Sequence, residues 1–302
     1  MANAATLKPA KPQLQPAAAA SPSFPALPKS ASVRTFAMLS HRGRVRHANQ
    51  DACAALPEVG AYVVCDGIGG AAAGDVASHL AAEAFLHALS QPGPQPARRI
   101  PPKSASSATP GNGATNYPTN HPHTRLHEAV RAANQAVFRH SRKSPTLHGM
   151  GTTLVAVLLE DAAAPTLWLA HVGDSRCYRL RRGDLQLLTQ DHSLVEEQVR
   201  AGVLSRVQAR RSPIRNIITR AIGSQPTVEP DIAAHDTQPG DLYLLASDGL
   251  TRELTDAEIA AILTRTRATG SAPLEDLCQA LIDAANAHGG GDNITVLLVA
   301  CP

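Results

Sequence analysis

Four short segments of the sequence set an aspartate beside a glycine: Cys-Asp-Gly at 65–67, Gly-Asp-Ser at 173–175, Ser-Asp-Gly at 247–249 and Gly-Asp-Asn at 291–293. Asp66, Asp174, Asp248 and Asp292 each close an apolar run or stand just before one, and Asp51 precedes a fifth, shorter run. One Asp-Gly pair alone is ordinary turn chemistry. As a set, aspartates at strand ends on one edge of a sheet converge and repel unless a positive charge lies among them. None of the motifs contains a lysine. A divalent cation resolves the conflict, and an all-oxygen donor set selects Mg²⁺ or Mn²⁺. The glycines allow close approach, and the carbonyl of Gly67 is a candidate ligand. Two such cations sharing a carboxylate hold a bridging water and lower its pKa, which makes a nucleophile for attack on phosphorus. Arg46, five residues before Asp51, is a candidate for gripping the phosphate with a two-pronged guanidinium.

These residues need strands to carry them. Apolar runs predict strands at 33–39, 61–65, 152–160, 166–172, 176–180, 185–188, 242–247 and 293–300. Helical patterns fall at 75–89, 124–141, 193–201, 255–264 and 273–288, the last starting from Ser271-Ala-Pro273. The links between 152–160 and 166–172, and between 176–180 and 185–188, are too short for a crossover helix. Antiparallel sheets with helices outside them follow, not a doubly wound parallel sheet.

The 302 residues are enough for a large core, and with aromatics at 3% that core is built of aliphatic side chains. A net charge of +3 does not mark a nucleic-acid binder. Five scattered cysteines read as core thiols in a reducing compartment, the cytoplasm. No apolar stretch is long enough to span a bilayer. Residues 1–32 are Pro/Ala-rich and read as a disordered tail, and 91–124 as an insertion or linker. His121 and His123, with His127 just beyond, are a candidate metal tract but read as polar residues in a mobile loop.

Gly67, Gly69 and Ala72 fit the G-x-G-x-x-A of a dinucleotide turn, but only Glu83, inside a helical pattern, follows at about the distance of a ribose ligand. There is no P-loop, no G-x-S-x-G elbow and no cysteine in a phosphate-binding loop.

The segments VRHANQD (45–51), VVCDGIGG (63–70), GMGTTLVA (149–156), AHVGDSRCYRL (170–180), LTQDHSLVEEQVRAG (188–202), RNIITRAIGS (215–224), LLASDGL (244–250) and GGGDNITVLLV (289–299) together resemble the metal-dependent protein phosphatase (PPM) family, the type 2C serine/threonine phosphatases, in its bacterial form. The resemblance covers 33–299. It implies an α+β fold, a four-layer α-β-β-α sandwich of two antiparallel sheets flanked by helices, over 33–302. A flap at 190–222 is implied, beside a metal cleft. By position, Asp66 would bridge two core Mn²⁺ or Mg²⁺ ions, Gly67 would lend its carbonyl, and Asp248 and Asp292 would bind the second ion. Asp174 with Asp248 would hold a third, weaker ion. Arg46 would bind phosphate and Asp51 would support the water network. The implied activity is direct attack by the metal-bridging water or hydroxide on a phosphoserine or phosphothreonine monoester, without a phosphoenzyme. Implied partners are phosphoproteins and a cognate serine/threonine kinase with its substrates, met by a cytoplasmic monomer with no nucleic acid and no membrane.

Three positions depart from the family pattern. Ile68 stands where many eukaryotic members have a histidine proposed to protonate the leaving group, Gln50 replaces an acidic residue before Asp51, and the 91–124 insertion is atypical. Arg200, Arg206, Arg210, Arg211, Arg215 and Arg220 crowd the flap, as a solvated face or as a surface for anionic phosphopeptides. Two other functions compete: a binding module that has lost its chemistry, and a two-metal phosphodiesterase.

Overall fold

The structure, a computed structural model, describes residues 35–69, 71–91, 117–160, 165–268 and 273–302. The expected tail, residues 92–116 of the insertion and the Ser271 helix start lie outside the described residues. In chain order the strands are β1 (Thr35–His41), β2 (Asp51–Leu56), β3 (Ala61–Ile68), β4 (Gly151–Thr152), β5 (Leu154–Glu160), β6 (Thr166–Val172), β7 (Arg176–Arg181), β8 (Asp184–Leu187), β9 (Asp231–Asp236), β10 (Leu242–Ala246) and β11 (Ile294–Ala300). The helices are α1 (Ala71–Ser90), α2 (Pro122–Ser141), α3 (Leu194–Arg200), α4 (Arg206–Arg210), α5 (Asp248–Glu253), α6 (Asp256–Ala268) and α7 (Leu274–Ala287).

Two antiparallel sheets form, β1-β11-β10-β7-β8 and β2-β3-β5-β6-β9, with β4 paired to β3. Their inner faces meet through Tyr62, Val64, Val155, Val157, Tyr243, Leu245 and Leu297. On the outer face of the second sheet, Val63 and Cys65 pack with Phe85 of α1 and Leu126 and Val130 of α2. On the outer face of the first, Leu244 and Leu298 pack with Ile259 of α6 and Leu277 and Leu281 of α7. Four layers result. A strand covered on both faces has no polar side to alternate with, which is why Ala61-Tyr62-Val63-Val64-Cys65 reads as an unbroken apolar run.

The expected strands are present, with shifts of up to three residues at their ends. The run 152–160 is interrupted at Thr153, so it makes two strands, because Thr153 turns to the backbone of Asp66. Three elements escaped sequence reasoning, the five-residue α4 among them. The edge strand β9, Asp-Ile-Ala-Ala-His-Asp, has no fully buried side chain. The helix α5 begins at Asp248 itself, where a strand end and turn were expected.

Antiparallel pairing fixes where the chain ends of each strand lie. β3 and β6 both pair antiparallel to β5, so both finish at the same edge. β10 pairs antiparallel to β7 and to β11, so β10 ends where those two begin. β2 starts opposite the end of β3, with Asp51 across from Asp66 in the ladder. Removing the ring of Phe85, fully enclosed between sheet and helices, opens a cavity. Phe85→Ala is expected to lower unfolding free energy by about 3–5 kcal/mol, read as a drop in urea midpoint at constant slope. A change below 1 kcal/mol, roughly, would contradict this packing.

Candidate metal centre

Asp51 starts β2, Asp66 stands near the end of β3, Asp174 lies in the β6–β7 turn, Asp248 opens α5 and Asp292 precedes β11. The structure brings all five together: Asp66 feels the charges of Asp51, Asp248, Asp174 and Asp292. Close approach needs glycine at two of these points. A Cβ on Gly67 would stand 2.3 Å from the Gly74 carbonyl oxygen, and one on Gly249 would stand 1.9 Å from the Asn293 carbonyl oxygen.

The backbone of Asp66 and the carboxylate of Asp51 are held from behind. The Asp66 amide donates to Thr153 Oγ1 at 2.9 Å, and Thr152 Oγ1 donates to the Asp66 carbonyl at 2.8 Å. Ser247 Oγ donates to Asp51 Oδ2 at 2.7 Å while accepting the Thr295 amide at 3.0 Å. The Gly67 amide donates to the Gln50 carbonyl at 3.1 Å. Asn293 donates to the carbonyls of Arg42 and Ala48, both at 2.9 Å, and accepts the Gln50 amide at 2.8 Å. This last set pins the loop that carries Arg46.

The electrostatics of the cluster are unfavourable for anions alone. Burial pushes Asp174 up to about 8, with Asp248 and Asp191 adding to the effect. Burial likewise raises Asp51 to about 6 against the opposing pull of Ser247. Asp66 stands well above the usual carboxylate range, first from the protein packed around it and then from its four carboxylate neighbours. Burial raises Asp248 too, and Arg252 opposes it. Among the described residues, Asp51 Oδ1, Asp174 Oδ1 and Asp248 Oδ1 are buried without a hydrogen-bond partner. Carboxylate oxygens left in that state, with no nitrogen or sulfur donors among them, fit a hard divalent cation.

Among the described residues, two arginines reach the cluster. Arg46 Nη2 pairs with Asp292 Oδ2 at 2.7 Å. Arg252 pairs through Nη2 with Asp248 Oδ2 and through Nη1 with Asp292 Oδ2, the latter at 3.1 Å. Arg252 was missed because its signal, a position four residues after Asp248, means something only on a helix, and none was expected there. Ile68, at the end of β3 opposite Gly151, carries no titratable group.

The flap is anchored at both ends by the bridges Ser193↔Ile218 and Thr152↔Ile222. Between them α3 and α4 are capped by Ser193 and by a Ser205–Gln208 capping box. Beside the cluster lies a cleft of about 620 Å³, with Asp174, Asp248 and Arg252 on one wall and Arg206, Arg210 and Arg215 on the other. Arg220 instead pairs with Asp231 at 2.7 Å. A second group, His171, His192 and Asp231, has its ligand atoms within 4.8 Å of one another. The Gly173 amide donates to His192 Nδ1 at 3.2 Å, so Nε2 carries the proton and faces Asp231 at 3.3 Å. His192, kept neutral by burial, straps the Asp174 turn to the flap through its ring and its amide, both bonded to Gly173. His121, expected to be a loop residue, accepts the His123 amide at the start of α2.

A family model described as Protein phosphatase 2C matches residues 40–284. The chain belongs to the protein phosphatase 2C family. It is similar to the "Serine/threonine phosphatase stp" of Listeria monocytogenes, at 35% identity over 85% of this chain and 92% of that protein. It is similar also to the crystal structure of the Mycobacterium tuberculosis serine/threonine phosphatase PstP/Ppp, with a TM-score of 0.72, 33% identity and coverage of 89% of this chain and 99% of that one. A structure of the PstP catalytic domain "in complex with 2 Manganese ions" matches at a TM-score of 0.69 and 32% identity over 89% of this chain and 98% of that one. The chain is thus a serine/threonine protein phosphatase of the 2C type, a phosphoric monoester hydrolase acting on phosphoproteins. No helix among the described residues is long and apolar enough to cross a membrane.

The raised carboxylates make a signed prediction for the metal-free phosphatase. Between the usual carboxylate value of 3.8 and about 8, the folded chain holds a proton at Asp174 that the unfolded chain has released. Unfolding free energy therefore falls as pH rises through that window. In chelator the urea midpoint should be higher at about pH 5 than at about pH 8. A midpoint that climbs across this range would contradict the raised values.

Proposed function

We propose that this phosphatase hydrolyses phosphoserine and phosphothreonine monoesters with two divalent cations, Mn²⁺ or Mg²⁺, held by Asp66, the Gly67 carbonyl, Asp248 and Asp292. Asp174 with Asp248 would hold a third, weaker ion, and we assign the activity to residues 33–302. The observation that carries this is the buried all-oxygen cluster, with three unpartnered carboxylate oxygens at one end of the sandwich. When bound, the cations supply a water acidic enough to attack phosphorus directly, with no phosphoenzyme.

The chain's own residues do the rest. Arg46, exposed at the rim and tethered by the loop that Asn293 pins, offers its guanidinium to the phosphate oxygens. Asp51, with Oδ2 accepting from Ser247 and Oδ1 free of partners, orders water beside the ions. Ile68 has no proton to donate, so the side chain at this position does not protonate the leaving alcohol. The arginine wall of the cleft favours phosphopeptides with acidic flanks, which a monomer working in the cytoplasm against a serine/threonine kinase would meet. The five free thiols accord with a reducing compartment. A non-catalytic module has no use for an intact set of five aspartates.

Purified protein should release phosphate from phosphothreonine peptides with Mn²⁺ and lose that activity in EDTA. Asp248→Asn should cost on the order of 100-fold or more in kcat, since even residues behind metal ligands cost 10–100-fold. Quenching during turnover of a radiolabelled substrate should leave no label on the protein; a labelled chain would rule out direct attack. Replacing Arg206 and Arg210 together by alanine should raise KM for acidic phosphopeptides several-fold, with kcat on a small aryl phosphate little changed. Equal loss on both substrates would place the arginines outside peptide recognition.

A further inference from the structure

We propose that Arg252 is the resident cation of the metal-free centre and competes with divalent cations for Asp248 and Asp292. The proposal rests on the metal assignment above and adds a residue that this assignment does not use. Its basis is geometric. Asp248 and Arg252 lie four residues apart on α5, which stacks their side chains on one face. The guanidinium reaches both Asp248 Oδ2 and Asp292 Oδ2 at once. It faces Asp174 and Asp66 as well, so four of the five carboxylates see its charge. The side chain is three-quarters enclosed, with 24% of its surface exposed.

Each of these contacts holds a carboxylate that a cation needs. Asp248 Oδ1 is open to a cation, but the guanidinium beside it on Oδ2 repels a second positive charge in a site shielded from water, so loading drives Arg252 off Asp248. The expelled side chain has somewhere to go, because Arg252 already lines the cleft between α5 and the flap. Arg46 makes a weaker claim on the cluster. It touches Asp292 alone and is half exposed. Metal affinity is therefore set in part by the fraction of molecules in which Arg252 has let go, and removing the competitor removes that penalty.

The test is calorimetric titration of MnCl₂ into the full chain after chelation and dialysis, for wild type, Arg252→Met and Arg252→Lys. Arg252→Met should bind Mn²⁺ about tenfold tighter than wild type. Arg252→Lys should fall between them, because a point charge cannot grip two carboxylates as the fork does. Metal-free Arg252→Met should unfold at a lower temperature than wild type, with the difference gone at saturating Mn²⁺. If metal-free Arg252→Met does not fold, Arg252→Lys carries the test alone, and low millimolar guanidinium should weaken its Mn²⁺ binding more than that of wild type. Mn²⁺ affinity that is unchanged or reduced in both variants overturns the proposal while leaving the metal centre intact. A wild-type chain that binds no Mn²⁺ overturns the metal assignment itself.

Discussion

Five carboxylates confined to one end of a β-sandwich are the constraint that shapes this molecule. Their mutual repulsion and their removal from water both oppose ionisation, and no hydrophobic gain nearby compensates for them. The fold holds them together regardless. Antiparallel pairing in two sheets sends the ends of β3, β6 and β10 and the starts of β2, β7 and β11 to one edge. Three buried layers of aliphatic side chains keep those ends from spreading. Stability built into the core is thus used to hold charge in an unfavourable place, the usual condition of a catalytic site.

Cations are the natural relief, and the metal-free chain improvises one from its own sequence. Arg252 sits where positive charge is needed, and Arg46 reaches in from the rim. The same need that attracts divalent ions attracts these guanidinium groups. This links metal loading to the position of side chains that also line the cleft where an anionic peptide would enter.

Much of this was legible in the sequence, for physical reasons that differ from element to element. Strands buried on both faces, such as β3 and β10, announce themselves as short unbroken apolar runs. Four of the five aspartates were legible because each stands beside a glycine, and at Gly67 and Gly249 another backbone leaves no room for a Cβ. β9 was not legible, since an edge strand with alanine, histidine and terminal aspartates buries too little to leave a pattern. α5 was hidden by its own function. Its first residue is an aspartate aimed at the cluster, and six residues carry no helical periodicity. Missing that helix meant missing Arg252, whose meaning depends on standing one turn beyond Asp248. Serine and asparagine supports such as Ser247 and Asn293 left no signal either, because their partners lie about 200 residues or more away in the chain.

The central claim is that the carboxylate cluster is a cation site from which the chain's own arginine must withdraw. Anomalous diffraction from crystals grown with Mn²⁺ tests it most directly. The account predicts manganese peaks enclosed by Asp66, Asp248 and Asp292, with the Arg252 guanidinium displaced from Asp248. Manganese bound instead at His171 and His192, or a carboxylate cluster still bridged by Arg252 at saturating metal, would contradict it.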